Sequence, residues 1–418
     1  MIAGPRRPTR VLLPLGLAIC LSLFGDLTLY AVLASERHTV GLSIGAVGVM
    51  LSINRLIRIP GNPLIGTLYD RVGRRRLFLL GMGLGAVSTF GYSVATGFWP
   101  FLLTRLAWGT AWTLLNVGGM AIIHDIGTST NRGRLSGAYN AWILVGFAIG
   151  PLFGGVLVDL VGFQATMRLY AITTALGLLV AAVFLPETQP QALRSRNSAE
   201  VTLSLRQALA RLAQRARGAL HASPRLLSVL LLVLLFQFAG EGVALSTFNL
   251  LLAQRLGDRV QIGALTLGVA SATGIVSALR SVIAAVAGPI AGRISDAHAG
   301  RGSTMTLALT LGVASFVGLA VAQSLPLIVL AIVLGAVSAG AGAAILSAAI
   351  GGLAPEARRG ALMGAFATAG DTGATLGPLL AYALVAIAPV SSVYVVCAAA
   401  FILGLFLTQR TFSNRRTP

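Results

Sequence analysis

Seven charged side chains interrupt stretches of sequence that are otherwise almost free of charge. A carboxylate can bind and release a proton, and a guanidinium can bind an anion or hold a carboxylate in an ion pair. Each such charge is costly in an apolar environment, so each is a candidate for function. The predicted substrate- and proton-binding residues are Asp26, Arg55, Arg58, Arg105, Glu241, Arg280 and Asp371.

Two interpretations of these charges remain open from the sequence. In the functional one, Asp26, Glu241 or Asp371 carries a proton while the arginines bind an anion or tune the acids. In the structural one, acids and arginines form fixed salt bridges, and Arg55 or Arg58 pairs with Asp371. Arginine keeps its charge, so it cannot itself carry the proton.

A second set of residues forms a Gly-x-x-x-Asp turn that occurs twice. Glycine allows a close turn against a neighbour, and an aspartate at a helix end can cap another helix, whose N-terminus is positive. The turns predict a gate; the alternative is a basic loop that only fixes topology. The gate residues are Gly66, Asp70, Arg71, Gly73, Arg74 and Arg75 in the first copy and Gly292, Asp296 and Arg301 in the second.

Long apolar segments must position these groups. Of the 418 residues, 10% are charged and 56% are hydrophobic, whereas a soluble domain carries about a quarter charged residues. A helix needs about 20 apolar residues to cross a bilayer. The sequence predicts an all-α integral membrane protein with twelve spans, at 11–34, 42–69, 76–97, 99–124, 135–160, 166–186, 225–253, 262–292, 303–323, 325–353, 359–386 and 390–409.

The basic residues indicate the topology. The net charge is +19 and all 31 basic residues are arginine. They cluster on every second connection and on both termini, which places both termini and the central loop in the cytoplasm. Because the charge follows the topology, we expect anionic lipid headgroups, and not nucleic acid, as its partner.

The two halves of the chain repeat one another. Pro63, Gly66 and Asp70 recur 226 positions later, and segment 132–151 matches segment 359–378 at an offset of 227. We therefore predict a six-helix bundle over 1–186, a cytoplasmic linker with a basic amphipathic helix over 187–224, and a second six-helix bundle over 225–418. A site between duplicated halves is typical of secondary transporters.

The run from Gly66 to Arg76 resembles the loop signature of the major facilitator superfamily, G-x-x-x-D-R-x-G-R-[RK]-[RK]. The twelve spans, the duplication and the charged central loop are similar to the same family. The resemblance implies that family's fold, with two pseudo-symmetric bundles. It also implies that the eleventh span is the partner of Asp70 and that Asp125, at the inner end of the fourth span, binds the loop arginine.

The fifth span carries a series of glycines that resembles the antiporter signature of this family. The alternative is ordinary packing, because small residues let membrane helices cross closely. The residues are Gly137, Gly146, Gly150, Pro151, Gly154 and Gly155.

Other function classes lack their motifs. The four histidines and two cysteines show no metal-ligand spacing, and the sequence has no P-loop or nucleophile elbow. We therefore predict no enzyme, no ATP-driven pump and no cofactor, with a proton gradient as the driving force.

The sequence thus predicts a secondary transporter that works by alternating access and exports a small amphipathic, drug-like compound in exchange for protons. The alternative is an organic or inorganic anion transporter that uses Arg55, Arg58 and Arg280; a non-transporting receptor is less favoured. We expect a monomeric, multi-pass protein of the inner (plasma) membrane. Arginine-only basic usage suggests a bacterium with a GC-rich genome.

Overall fold

A computed structural model describes residues 8–128, 130–189, 224–262, 265–353 and 359–412. The amphipathic helix predicted in the linker lies outside these residues. The described α-helices are α1 (Thr9–Val32), α2 (Ile44–Leu56), α3 (Arg58–Val72), α4 (Arg74–Val94), α5 (Phe98–Ile126), α6 (Arg132–Val161), α7 (Phe163–Phe184), α8 (Pro224–Phe236), α9 (Leu245–Leu256), α10 (Val269–Ile294), α11 (Gly300–Val321), α12 (Leu325–Leu353), α13 (Arg359–Val385) and α14 (Val390–Phe412).

Within the described residues, eleven helical segments are long and apolar enough to cross a membrane. Three of them are composite: α2 with α3, α8 with α9, and α10 with its continuation to Ala297. The helix α13 is not among the eleven, although it has 27 residues. Its glycines, its threonines and Asp371 make it less apolar than the others.

A short β-hairpin lies in the connection before α10. Strand β1 (Arg259–Ile262) pairs antiparallel with β2 (Leu265–Gly268), with Arg259 opposite Gly268. The predicted start of the eighth span at residue 262 is therefore wrong, and α10 begins at Val269. The β-branched residues of this stretch favour an extended backbone over a helix.

Two irregularities lie at the depth of the charged residues. The second span breaks at Ile57, between Arg55 and Arg58. Pro60 lacks the N–H that would bond to the Leu56 carbonyl four residues earlier, so one hydrogen bond of the helix is missing at this break. In the seventh span, Gln237–Ala244 forms a π-helix that carries Glu241. A π-helical turn within an α-helix is frequent at functional sites.

The two halves meet along two pairs of helices, α6 with α10 and α2 with α13. Small residues allow the close approaches. A Cβ on Gly48 of α2 would lie 2.7 Å from the Pro378 carbonyl oxygen of α13, and a Cβ on Gly155 of α6 would collide with the Ala270 carbonyl of α10. These contacts lie on the arginine-poor side of the charged residues, so the halves are closed there.

On the arginine-rich side the same helices separate. Four glycines there would have no atom within 4 Å of an added Cβ, namely Gly66, Gly137, Gly292 and Gly364. A cavity between the halves therefore faces the arginine-rich side.

Candidate functional site

The cavity between the halves has a volume of about 960 Å³ and is lined by residues from both. Six of the seven predicted charged residues line it, and Arg105 lies behind them. Bulky apolar side chains and a wall of alanines and glycines form the remainder. Examples are Leu23, Ile143, Phe147 and Phe236 among the bulky residues, and Ala284, Ala285, Gly340 and Ala343 among the small ones. This combination suits a partly apolar ligand that carries charge.

Glu241 lies between two arginines of different halves. Its Oε1 accepts a hydrogen bond of 2.9 Å from Arg280 Nη2, and its Oε2 lies 3.7 Å from Arg55 Nη2. Arg55 also donates through Nε to the Tyr30 hydroxyl at 3.3 Å. One carboxylate is therefore the counter-ion of two guanidiniums.

Arg58 and Asp371 form a one-to-one ion pair between α3 and α13. Arg58 Nη2 lies 3.0 Å from Asp371 Oδ1, and both side chains are mostly buried. The guanidinium also lies 6.0 Å from the centre of the Trp112 ring, within the range of a cation–π contact. The sequence interpretation that paired Asp371 with an arginine of the second span agrees with this geometry.

Asp26 and Arg105 form an ion pair inside the first half. The Arg105 side chain has no exposed surface; it donates through Nη1 to Asp26 and to the Tyr92 hydroxyl, and through Nε to the Met50 carbonyl at 2.7 Å. Asn54 Nδ2 donates to Asp26 at 3.2 Å. The pair is thus enclosed by polar partners on α2 and α4.

The structure brings the seven predicted charges together, but in unequal roles. Around the cavity they make one fixed pair in the first half, one pair across the halves, and one carboxylate shared by two arginines. Sequence reasoning missed Tyr30 and Asn54 as their partners. Tyr30 follows Asp26 by four positions and so lies on the same helix face, which is a signal that could have found it.

The gate residues of the first half form a cluster at the arginine-rich end. Arg74 Nε lies 3.0 Å from Asp125 Oδ2, the contact that the family resemblance implied. The backbone amides of Arg74 and Arg75 donate to the Glu187 carboxylate at 3.0 and 3.2 Å, so Glu187 caps the start of α4. These contacts stay within the first half and do not join it to the second.

The remaining gate residues are less constrained. The side chains of Asp70 and Arg71 lie outside the described part of the chain. Asp296, in the second copy, is exposed, and Arg301 lies in the first turn of α11. The latching role of the turns therefore stays a prediction.

The glycine series of the fifth span packs against two other helices. A Cβ on Gly146 would lie 2.9 Å from Leu23, and one on Gly150 would lie 3.1 Å from the Phe24 Cα, both on α1. Gly154 meets Thr28 of α1, and Gly155 meets the backbone of α10. The helix α6 runs unbroken through Pro151. Close packing accounts for these glycines, and an antiport role stays a prediction.

No cluster of three or more metal-ligating side chains occurs among the residues that the structure describes. The two cysteines are buried and unpaired.

The sequence profile of the Major Facilitator Superfamily matches residues 15–280 and 264–418, which is nearly the whole chain. The chain belongs to the major facilitator superfamily. Members of this family and the relatives below are transporters, so this chain is a membrane transporter and not an enzyme.

Individual relatives cover most of the chain. Major facilitator superfamily domain-containing protein 10 of Mus musculus is 26% identical over 389 residues, which is 90% of this chain and 80% of that protein. Its counterpart in Bos taurus is 28% identical over 397 residues, covering 91% and 81%.

Solved structures show the same fold. The human organic anion transporter MFSD10 superposes with a TM-score of 0.66 at 22% identity, covering 97% of this chain and all of that one. A bacterial homologue of the human lysosomal transporter Spinster, in an inward-facing and unoccupied conformation, has a TM-score of 0.72 at 20% identity and covers 97% and 98%.

Proposed function

We propose that this transporter carries organic anions across the membrane by alternating access. The observation that supports this most directly is the charge balance of the site. Three guanidiniums line the cavity, and a fourth, that of Arg105, lies behind them. Only three carboxylates balance these four charges, because Arg55 and Arg280 share Glu241. An unbalanced charge in an apolar interior is costly, so a bound anion stabilises the site.

The walls favour an organic anion over an inorganic one. Aromatic and aliphatic side chains from both halves face the charged cluster, and the cavity is large enough for a drug-sized molecule. The relative whose solved structure is described as an organic anion transporter supports the same choice. The anion alternative raised from the sequence therefore becomes our first proposal.

Proton-driven efflux of drug-like compounds remains the second candidate. The multidrug resistance protein 1 of Bacillus subtilis is 30% identical over 125 residues, which is 30% of this chain. The three acids of the cavity provide the groups that an exchange with protons requires. This reading predicts that the site accepts amphipathic cations.

We also propose the finer topology. The helix α13 is the twelfth span, because it packs along α2 and the π-helix beside the cavity. Both termini then lie on the arginine-rich side, which the positive-inside rule assigns to the cytoplasm. A monomer of two six-helix bundles in a bacterial plasma membrane, in contact with anionic lipids, fits this arrangement.

Uptake of naphthalenesulfonate, a permanently charged and fluorescent organic anion, into proteoliposomes tests the proposal. Arg280→Gln removes the hydrogen bond to Glu241 and one of the positive charges that line the cavity. We expect its affinity for the probe to fall at least about tenfold, since a charge-assisted bond contributes about 1.5–3 kcal/mol. Arg168→Gln removes an exposed arginine at the other end of the protein and is the matched control.

Two outcomes would overturn anion transport: no uptake above protein-free liposomes, or an Arg280→Gln variant equal to the wild type. If an amphipathic quaternary ammonium probe is instead expelled when a pH gradient is imposed, the efflux reading is correct. A protein that binds naphthalenesulfonate but moves neither probe would be a receptor.

A further inference from the structure

We propose that the occupied site holds one net negative ligand charge: a monoanion binds without a proton, and a dianion binds only with one proton, which Glu241 takes. The inference rests on the proposed anion transport and adds a rule for its valence and its coupling.

Charge counting around the cavity gives the rule. The pairs Asp26–Arg105 and Arg58–Asp371 are each balanced. The remaining cluster holds Arg55, Arg280 and Glu241 and has one surplus positive charge. A single negative charge therefore makes the occupied site neutral. A second one leaves an unbalanced charge in a low-dielectric cavity, where protonation of a carboxylate is the least costly remedy.

Glu241 is the acid placed to accept that proton. Its side chain is 24% exposed, against 12% for Asp371 and 9% for Asp26, so cavity water reaches it most readily. Glu241 also forms ion pairs with the two guanidiniums that an incoming anion would bind. Its contact with Arg55, at 3.7 Å, is an ion pair too long for a hydrogen bond.

The groups that surround Glu241 support the same assignment. Arg280 faces it from α10 and Arg55 from α2, whereas α1 contributes Tyr30 and the balanced Asp26. On α13, Asp371 is held by Arg58. The tyrosine hydroxyls of the neighbouring α13 and α14, at Tyr382 and Tyr394, are hydrogen-bonded to Ser246 and Thr247. Of these groups, the Tyr30 hydroxyl also contacts Arg55, whereas Glu241 contacts both of the arginines that would bind the ligand.

The proton balance is simple. The proton comes from water in the cavity and forms an O–H bond on the Glu241 carboxylate, and it returns to water when the dianion leaves. No other bond is made or broken. A dianion and its proton therefore travel in the same direction.

Isothermal titration calorimetry in buffers of different ionisation enthalpy counts the protons taken up on binding. The probes are naphthalenesulfonate and naphthalenedisulfonate, which stay fully ionised, so any proton goes to the protein. We expect no uptake with the monosulfonate and about one proton with the disulfonate. Linkage then tightens disulfonate binding by at most about tenfold for each unit by which the pH falls, while monosulfonate binding changes little.

Two variants locate the acceptor. In Glu241→Gln, disulfonate binding should take up no proton, whereas the double variant Arg58→Gln with Asp371→Asn, which removes a cavity carboxylate together with its balancing charge, should leave the uptake intact. Binding of the monosulfonate to both variants shows that they are folded.

The possible failures are distinct. If the monosulfonate does not bind, or binds without regard to Arg280, the proposed anion transport fails. If it binds through Arg280 but takes up a proton, the valence rule is wrong. The rule is also wrong if the disulfonate binds without a proton or does not bind at any pH. Proton uptake that persists in Glu241→Gln, or that disappears in the double variant Arg58→Gln with Asp371→Asn, places the proton elsewhere.

Discussion

At the scale of single residues, charged side chains of the same type have different roles because their surroundings differ. Asp26 and Glu241 appear as symmetry-related acids in the sequence, yet Asp26 is enclosed with a fully buried arginine and Glu241 faces a cavity. The first is expected to act in stability and the second in binding. The same residue type at corresponding positions therefore does not imply the same role.

Loss of Asp26 should destabilise the fold. In Asp26→Asn the Arg105 guanidinium keeps its charge in a buried site without its counter-ion, which costs about 3–5 kcal/mol. We expect a clearly lower midpoint of thermal unfolding. The double variant Asp26→Asn with Arg105→Gln removes both charges and should recover part of that loss, as a double-mutant cycle would show.

An Asp26→Asn variant as stable as the wild type would contradict this assignment. Loss of pH-dependent binding without loss of stability would instead make Asp26 the proton carrier. Asp371→Asn offers a comparison, because its ion pair is partly exposed to the cavity and should cost less when broken.

The sequence predicted seven charges within the spans and a pairing of Arg55 or Arg58 with Asp371, but it did not predict the other pairs. Span boundaries and hydropathy give the approximate depth of Arg105, but not the rotation of α5 that points it at Asp26. Pairing depends on the relative rotation and tilt of several helices, and one helix's periodicity does not contain this information. The Asn54 contact, which joins two helices, was missed for the same reason.

At the scale of elements, the ends and breaks of helices were hardest to predict. Pro60, which lies next to the break in the second span, was visible in the sequence, but the π-helix around Glu241 was not. The prediction that the eighth span starts at residue 262 rested on apolar composition. In the structure, the strands β1 and β2 form a hairpin there instead. Composition indicates that a segment is buried in lipid or protein, and local hydrogen bonding decides its shape.

One contact between elements should control the opening of the arginine-poor side. Asp159, at the end of α6, accepts a hydrogen bond of 2.7 Å from the Ser271 amide in the first turn of α10. The carboxylate caps a helix of the other half, where the helix dipole is positive. Separation of α6 and α10 must break this bond.

Asp159→Ala should therefore favour opening on this side. A cap contributes about 1 kcal/mol, so we expect opening to rise about fivefold. The measurement is the labelling rate of Ser52→Cys by a membrane-impermeant thiol reagent added to the arginine-poor face, with both native cysteines replaced. Ser52 is buried and donates to the Thr375 carbonyl across the halves at 2.7 Å.

Asp159→Asn is the control, since its amide oxygen can still accept the bond but carries no charge. It should label at an intermediate rate. Equal rates in all three proteins would show that the cap does not hold this side closed.

At the scale of the whole molecule, the duplication and the two-bundle plan could be predicted from the sequence. The offset of matching motifs is constant over several spans, which a shared ancestor of the two halves explains. The conformation could not be predicted, because the same sequence must be stable with either side closed. Only the structure shows that the arginine-poor side is the closed one here.

The spacing of glycines indicates how the opposite state closes. Gly155 of α6 and Gly274 of α10 contact the partner helix on the closed side. Gly137 and Gly292 lie 18 residues from them, which is five turns at 3.6 residues per turn, so each lies on the same helix face. Both have open space around them in this conformation. We expect these two glycines to meet when the arginine-rich side closes.

Gly137→Leu should therefore block transport without disturbing this conformation. A Cβ added at this position finds no atom within 4 Å here, so thermal stability and naphthalenesulfonate binding should stay near wild-type values. Closure of the arginine-rich side would press the leucine against α10, and net flux should fall at least about tenfold. Gly83→Leu is the control, because Gly83 lies on α4, away from the halves' interface, with Leu178 at 4.0 Å. Full flux in Gly137→Leu would show that α6 and α10 do not approach each other near Gly137. Rocking of the two halves about the charged cluster would then need a different closing surface.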